Sequence, residues 1–143
     1  MEHIKPQGTG ESGLVRPLTK EEFRDCMTDD WYFHITTEIL THFKVQTPKV
    51  VKLGNRKDYE RFHGLYNPRL ETVTCSHRWT GLYIHELAHH IVHKLHLNGR
   101  HVHHNKAFWD VLQECIYIAF PEIQRPVQRG EDNDKDFWSN FQF

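Results

Sequence analysis

The chain has 143 residues, 38% of them hydrophobic and 26% charged, with 18 Lys and Arg against 19 Asp and Glu. That length suits one domain, since two cores would each fall near the lower limit of a self-sustaining fold, and the composition excludes general disorder and a fibrous repeat. The basic residues are scattered rather than gathered in a stripe, which argues against a primary nucleic-acid binder, and no apolar run approaches the ~20 residues that cross a bilayer. The start Met1-Glu2-His3-Ile4-Lys5-Pro6 lacks the apolar stretch of a signal peptide, so an intracellular protein with no membrane partner is expected.

The first eighteen residues mix Pro6, Gly8, Gly10, Gly13 and Pro17 with polar residues and are expected to form a flexible tail. Thr19 followed by Glu22 is a capping box, and Phe23, Met27, Trp31, Ile35, Ile39 and Phe43 then recur every four residues. This predicts one long helix, or two broken near Asp29-Asp30, ending about Phe43. Val50-Val51-Lys52-Leu53 reads as a short strand, and Leu70 to Cys75 as another, with a turn at Asn67-Pro68 before it. Thr80 is placed to cap a helix from about Gly81 to Leu97, with Gly99 as its stop. A last helix is expected from about Asn105 to Phe120, with Phe108, Val111, Leu112, Cys115, Ile116 and Ala119 at core spacing and Pro121 ending it.

The domain is thus expected over residues 19–125, followed by a tail over 126–143 that is acidic at Gly130 to Asp136 and aromatic at Phe137, Trp138, Phe141 and Phe143. Such an end either packs back on the domain or binds a partner. Cys26, Cys75 and Cys115 are odd in number and far apart, which fits neither a disulfide framework nor a two-Cys zinc knuckle, and they are expected to be reduced thiols.

Histidine is the anomaly: there are 13, and eight of them (His85, His89, His90, His93, His96, His101, His103 and His104) fall within twenty residues. Among them stands His85-Glu86-Leu87-Ala88-His89, two imidazoles one helical turn apart with a Glu between. That spacing lets both rings reach one Zn²⁺ while Glu86, about 100° round the helix, meets a metal-bound water without being a ligand. In a chain so rich in His the pattern can arise by composition, so its context decides. Ile84, Leu87, Ala88, Ile91 and Leu95 gather on one arc of the helix, and His85, His89, His93 and His96 on the neighbouring one. A solvated His-rich face gives no reason for that fit.

A catalytic zinc takes three protein ligands and leaves one position for water. The metzincin extension fails, because Val92 stands where Gly is needed and Leu95 where His is needed. A thermolysin-type Glu fails too, since Phe108 and Trp109 occupy its region. His101, His103, His104 and Glu114 remain as third-ligand candidates. His104 is favoured because it stands just before the last helix, which Phe108 can anchor one turn further on. His93 and His96 lie roughly 6 and 10 Å along the axis from His89, too far to share its ion. His34, His42, His63 and His77 carry no spacing information, and Tyr66, Tyr83 and Tyr117 read as core aromatics with hydroxyls at the surface.

His85-Glu86-Leu87-Ala88-His89 followed by His104-Asn105-Lys106-Ala107-Phe108-Trp109 resembles the SprT-like (Spartan-type) zinc metallopeptidases and is similar to the related WLM and YgjP-like families. The resemblance covers roughly Lys49 to Phe120. It implies a compact α+β zincin-like domain, one Zn²⁺ per chain held by His85, His89 and His104, Glu86 as general acid/base, and a protein or peptide substrate cleaved by a metal-activated water. The family admits nucleic acid as a partner, which the scattered charge does not call for, and residues 126–143 hold neither a Cys-rich zinc ribbon nor a basic extension. Strand addition along Leu70 to Cys75 is the expected way to hold an extended substrate. The alternative is a non-catalytic, zinc-stabilised or His-rich metal-binding interaction module, which has no need of Glu86.

Overall fold

In the computed structural model, which describes residues 18–54, 63–97 and 104–123, the first helix opens on a reciprocal pair. Thr19 Oγ1 accepts the Glu22 N–H and Glu22 Oε1 accepts the Thr19 N–H. This helix, α1 (Lys20–Phe23), is a single turn. A second N-cap, Thr28, whose hydroxyl accepts the Trp31 N–H, starts α2 (Asp29–Phe43). The expected stripe is shared between these two helices and the link between them: Phe23, Met27, Ile35, Ile39 and Phe43 are buried and Trp31 packs partly buried against them. Leu18, assigned to the tail on sequence, is also buried in the core.

Three strands follow: β1 (Val50–Leu53), β2 (Gly64–Asn67) and β3 (Thr72–Cys75), in the order β1-β3-β2. β1 runs parallel to β3 and β2 antiparallel to it. β2 and β3 form a hairpin whose turn is fixed by the Asn67 side chain accepting the Leu70 N–H and by Glu71 in the left-handed region at φ 52°. The sequence reading has β1 and β3 but not β2. Because β3 lies in the middle with both edges paired, Leu70 to Cys75 cannot receive a substrate by strand addition; the sheet's outer edges belong to β1 and β2.

The next helix, α3 (Thr80–Lys94), packs against β2 and β3 on one side and against α1, α2 and α4 (Lys106–Ala119) elsewhere. Every residue from Thr80 to Ala88 is buried, so α3 is a central helix rather than a half-exposed one. Its N-cap is Trp79, without a side-chain capping bond, and not Thr80 as expected. Thr80 is instead used across the fold: its N–H and hydroxyl donate to the Asp25 carbonyl, and the hydroxyl accepts from Trp31 Nε1. The helix stops at Lys94, short of Leu97. His96 turns left-handed at φ 59° and the Leu97 N–H returns to the Val92 carbonyl, a Schellman-type closure that needs no glycine at 99, a residue outside those described.

Asn105 joins the two site helices. Its Oδ1 caps α4 by accepting the Phe108 N–H at 2.8 Å, and its Nδ2 donates to the Leu97 carbonyl beyond the end of α3. Phe108, Val111, Leu112, Cys115, Ile116 and Ala119 are all buried, as their spacing predicts, and Pro121 opens a short 3₁₀ turn to Ile123. The fold is α+β, with four helices and a small mixed sheet among the described residues. Cys26, Cys75 and Cys115 are free thiols, the last two buried. Among the described residues no helix is long and apolar enough to cross a membrane. The rest of the expected N-terminal tail and the acidic and aromatic segment at 126–143 lie outside the described residues.

Candidate metal centre

α3 carries His85 and His89 one turn apart, and the turn before α4 brings His104 to them. One nitrogen from each ring lies within 4.8 Å of the other two. His85 Nε2 and His104 Nε2 face each other at 3.2 Å. Tetrahedral bonds of about 2.0 to 2.1 Å to one zinc would set such a pair about 3.3 Å apart, close to the spacing of these two nitrogens. His85 is buried while His89 and His104 are partly exposed, so the trio runs from the core to the surface. Desolvation, reinforced by the neighbouring rings of His89 and His104, holds the His85 pKa well below its usual 6.5 and keeps the imidazole neutral, the form that offers a lone pair to a metal.

Phe108 sets the directions of all three rings. It is fully buried, stacks on His89 with centroids 4.3 Å apart, and meets His104 at 4.7 Å and His85 at 4.9 Å. Trp109 adds a second contact to His104. The Asn105 cap fixes where α4 begins, and thereby both Phe108 and the turn that carries His104.

Glu86 lies next to His85 in sequence and is fully buried. Neither of its carboxylate oxygens has a hydrogen-bond partner among the described residues, and burial pushes its pKa well above the ordinary carboxylate range. Buried carboxylates without partners are costly and rare. Behind it stands the Cys75 thiol, raised first by its own burial and then by the nearby Glu86. On the sheet side Gly64, the first residue of β2, passes against the Glu86 side chain.

The register of β2 shows which way its peptide groups point. The Ser76 N–H bonds the His63 carbonyl at 2.7 Å and Gly64 lies opposite Cys75, which makes Gly64–Cys75 and then Tyr66–Val73 the non-hydrogen-bonded pairs. The N–H and C=O of Gly64 and Tyr66 are therefore directed to the outer edge of the sheet. A side-chain relay clasps this edge to α3. His90 Nε2 donates to the Gln46 carbonyl, which leaves Nδ1 of the neutral ring to accept from the Tyr66 hydroxyl, whose oxygen accepts in turn from His93 Nδ1. Burial lowers the pKa of both His90 and His93 and favours those neutral rings.

His85, Glu86, His89 and His104 are thus brought to one place, and the other candidates are not. Glu114 lies 3.2 Å from His42 on α2, engaged away from the trio. His101 and His103 lie outside the described residues. His93 belongs to the Tyr66 relay, and His96 is exposed at the helix end. His34 stacks on Trp31 and His77 on Trp79, with His63 beside that pair. Tyr83 is buried with its hydroxyl on Thr36. The sequence reading missed Gly64 and the clasp at Tyr66; a glycine directly before Leu65-Tyr66 is the signal that marks a close approach of backbone to another group.

No family model matches the chain, and no curated protein or solved structure matches it.

Proposed function

We propose that the protein is a zinc-dependent metallopeptidase of the SprT-like kind, with His85, His89 and His104 holding one Zn²⁺ and Glu86 as general acid/base. The observation that carries this reading is the Glu86 carboxylate, buried without a hydrogen-bond partner among the described residues and next to three convergent imidazoles. A site that only held metal for stability would gain nothing from that carboxylate and would bear its desolvation cost. When bound, zinc supplies Lewis acidity, which lowers the pKa of the attacking water and polarises the scissile carbonyl.

The chain's own groups do the rest. The three histidines bind as neutral imidazoles, their directions held by Phe108. Glu86 accepts the water's proton at its carboxylate and passes it to the leaving amine. The outward N–H and C=O groups of Gly64 and Tyr66 offer an extended substrate an antiparallel backbone ladder alongside Glu86, a mode that tolerates many side chains. The substrate is accordingly an unfolded or extended protein segment.

The test is cleavage of an unfolded protein by the zinc-loaded chain. Glu86→Gln should keep its zinc and lose about 10²- to 10⁴-fold in rate, the usual worth of general-base participation. His85→Ala should lose metal and activity together. An unchanged rate in zinc-loaded Glu86→Gln would remove Glu86 from the chemistry. Absence of chelator-sensitive cleavage on unfolded, native and DNA-bound proteins alike would leave the zinc-stabilised interaction module as the reading.

A further inference from the structure

Gly64 is buried at the start of β2, and its backbone is not in the left-handed region that calls for glycine. Space is what demands it. A Cβ built there would lie 2.8 Å from Glu86 Oε2, 3.1 Å from Glu86 Cγ and 3.0 Å from Leu82 Cδ1. The strand cannot back away, because it is laddered to β3 and clasped to α3 through Tyr66, His90 and His93. Two of these three contacts, including the shortest, are to the flexible Glu86 side chain, so the group that must give is Glu86. Gly81 offers a contrast within the same helix: a Cβ there would meet Phe23 Cδ2 at 2.4 Å and the Phe23 Cα at 2.7 Å, which is packing of α1 on α3 with no part in the site.

We infer that Gly64 is a positioning residue for Glu86: by having no side chain it lets the edge strand touch the carboxylate, so that the strand's outward peptide group and the base are held in one register. This rests on the peptidase reading, in which a strand seated on the Gly64 and Tyr66 peptide groups has its scissile bond placed against Glu86. One residue then serves both substrate alignment and the proton acceptor. A side chain at 64 leaves the histidines and the edge hydrogen bonds in place and turns Glu86 aside. A misplacement of about 1 Å in such a group is worth up to about 10²-fold in rate.

The test uses the full chain carrying Gly64→Ala, Gly81→Ala or Glu86→Ala, and the two double variants. Zinc-loaded Gly64→Ala should keep one zinc and a KM within about twofold, while kcat falls about tenfold or more. A readout that needs no activity is thermal unfolding of the metal-free proteins. Gly64→Ala should lower Tm by about 5 °C or more through overpacking, and at least half of that loss should vanish when Glu86 is Ala, since the two Glu86 contacts are then gone. The loss caused by Gly81→Ala should be the same in both backgrounds. Should Gly64→Ala fail to fold, recovery of folding in the double variant with Glu86→Ala supports the inference and continued failure overturns it. An equal Tm loss in both backgrounds, or an unchanged kcat, also overturns it. If the wild type cleaves nothing, the peptidase reading fails while the coupling between positions 64 and 86 is still measured.

Discussion

Replacing Glu86 by Gln should stabilise the metal-free protein, by an amount that grows with pH. The carboxylate is buried without a hydrogen-bond partner among the described residues, and desolvation raises its pKa well above the ordinary 4.5. A carboxyl group raised in the folded state holds its proton more tightly there than in the unfolded chain. Its contribution is fully present below the unfolded value and is lost as pH climbs toward the folded one. Each pH unit in that window removes about 1.4 kcal/mol, a loss that Gln does not suffer. The variant should therefore gain on the wild type by up to about 1.4 kcal/mol for each pH unit between the ordinary carboxyl value and the raised folded one. His85 acts in the opposite sense: its depressed pKa gives stability that is present above the usual 6.5 and lost in acid. That loss is common to both proteins and cancels in the difference. The assay is urea unfolding of chelator-treated protein at several pH values. Parallel stability curves for the two proteins would show that Glu86 is solvated or paired, and would refute the argument from burial.

Two further substitutions test the support around the site. Phe108→Leu keeps most of the buried volume but loses the ring that touches all three imidazoles; it should cost about 1 kcal/mol in stability and weaken zinc binding by about tenfold in a chelator competition. His96→Gly relieves a left-handed non-glycine residue at the end of α3 and should raise unfolding stability by about 0.5 to 1 kcal/mol, with zinc stoichiometry unchanged because His96 stands outside the trio.

What could be read from the sequence is what local rules decide. The first and last helices followed from the Thr19 capping box and from the apolar stripe from Phe108 to Ala119, which act within one or two turns of themselves. His85 and His89 fall together for the same reason, and His104 could be placed beside them only because it stands just before the next helix. The rest was set by contacts between distant segments. β2 is four residues with a Gly and an Asn in it, and it exists through its ladder to β3 rather than by propensity. Thr80 looked like a cap because Thr often is one, but Asp25 and Trp31 compete for its hydroxyl. Helix α3 stops at a left-handed His that no composition rule marks as a terminator. The removal of Glu114 from the ligand candidates depended on His42, seventy-two residues before it (114 − 42).

Zinc-edge X-ray absorption on the purified, zinc-loaded chain decides whether these histidines form an open zinc site built for chemistry. The expected spectrum is that of a four-coordinate ion with three imidazole nitrogens at about 2.0 to 2.1 Å and one non-protein oxygen. A closed shell of four histidines, or a thiolate sulfur at about 2.3 Å, would contradict it.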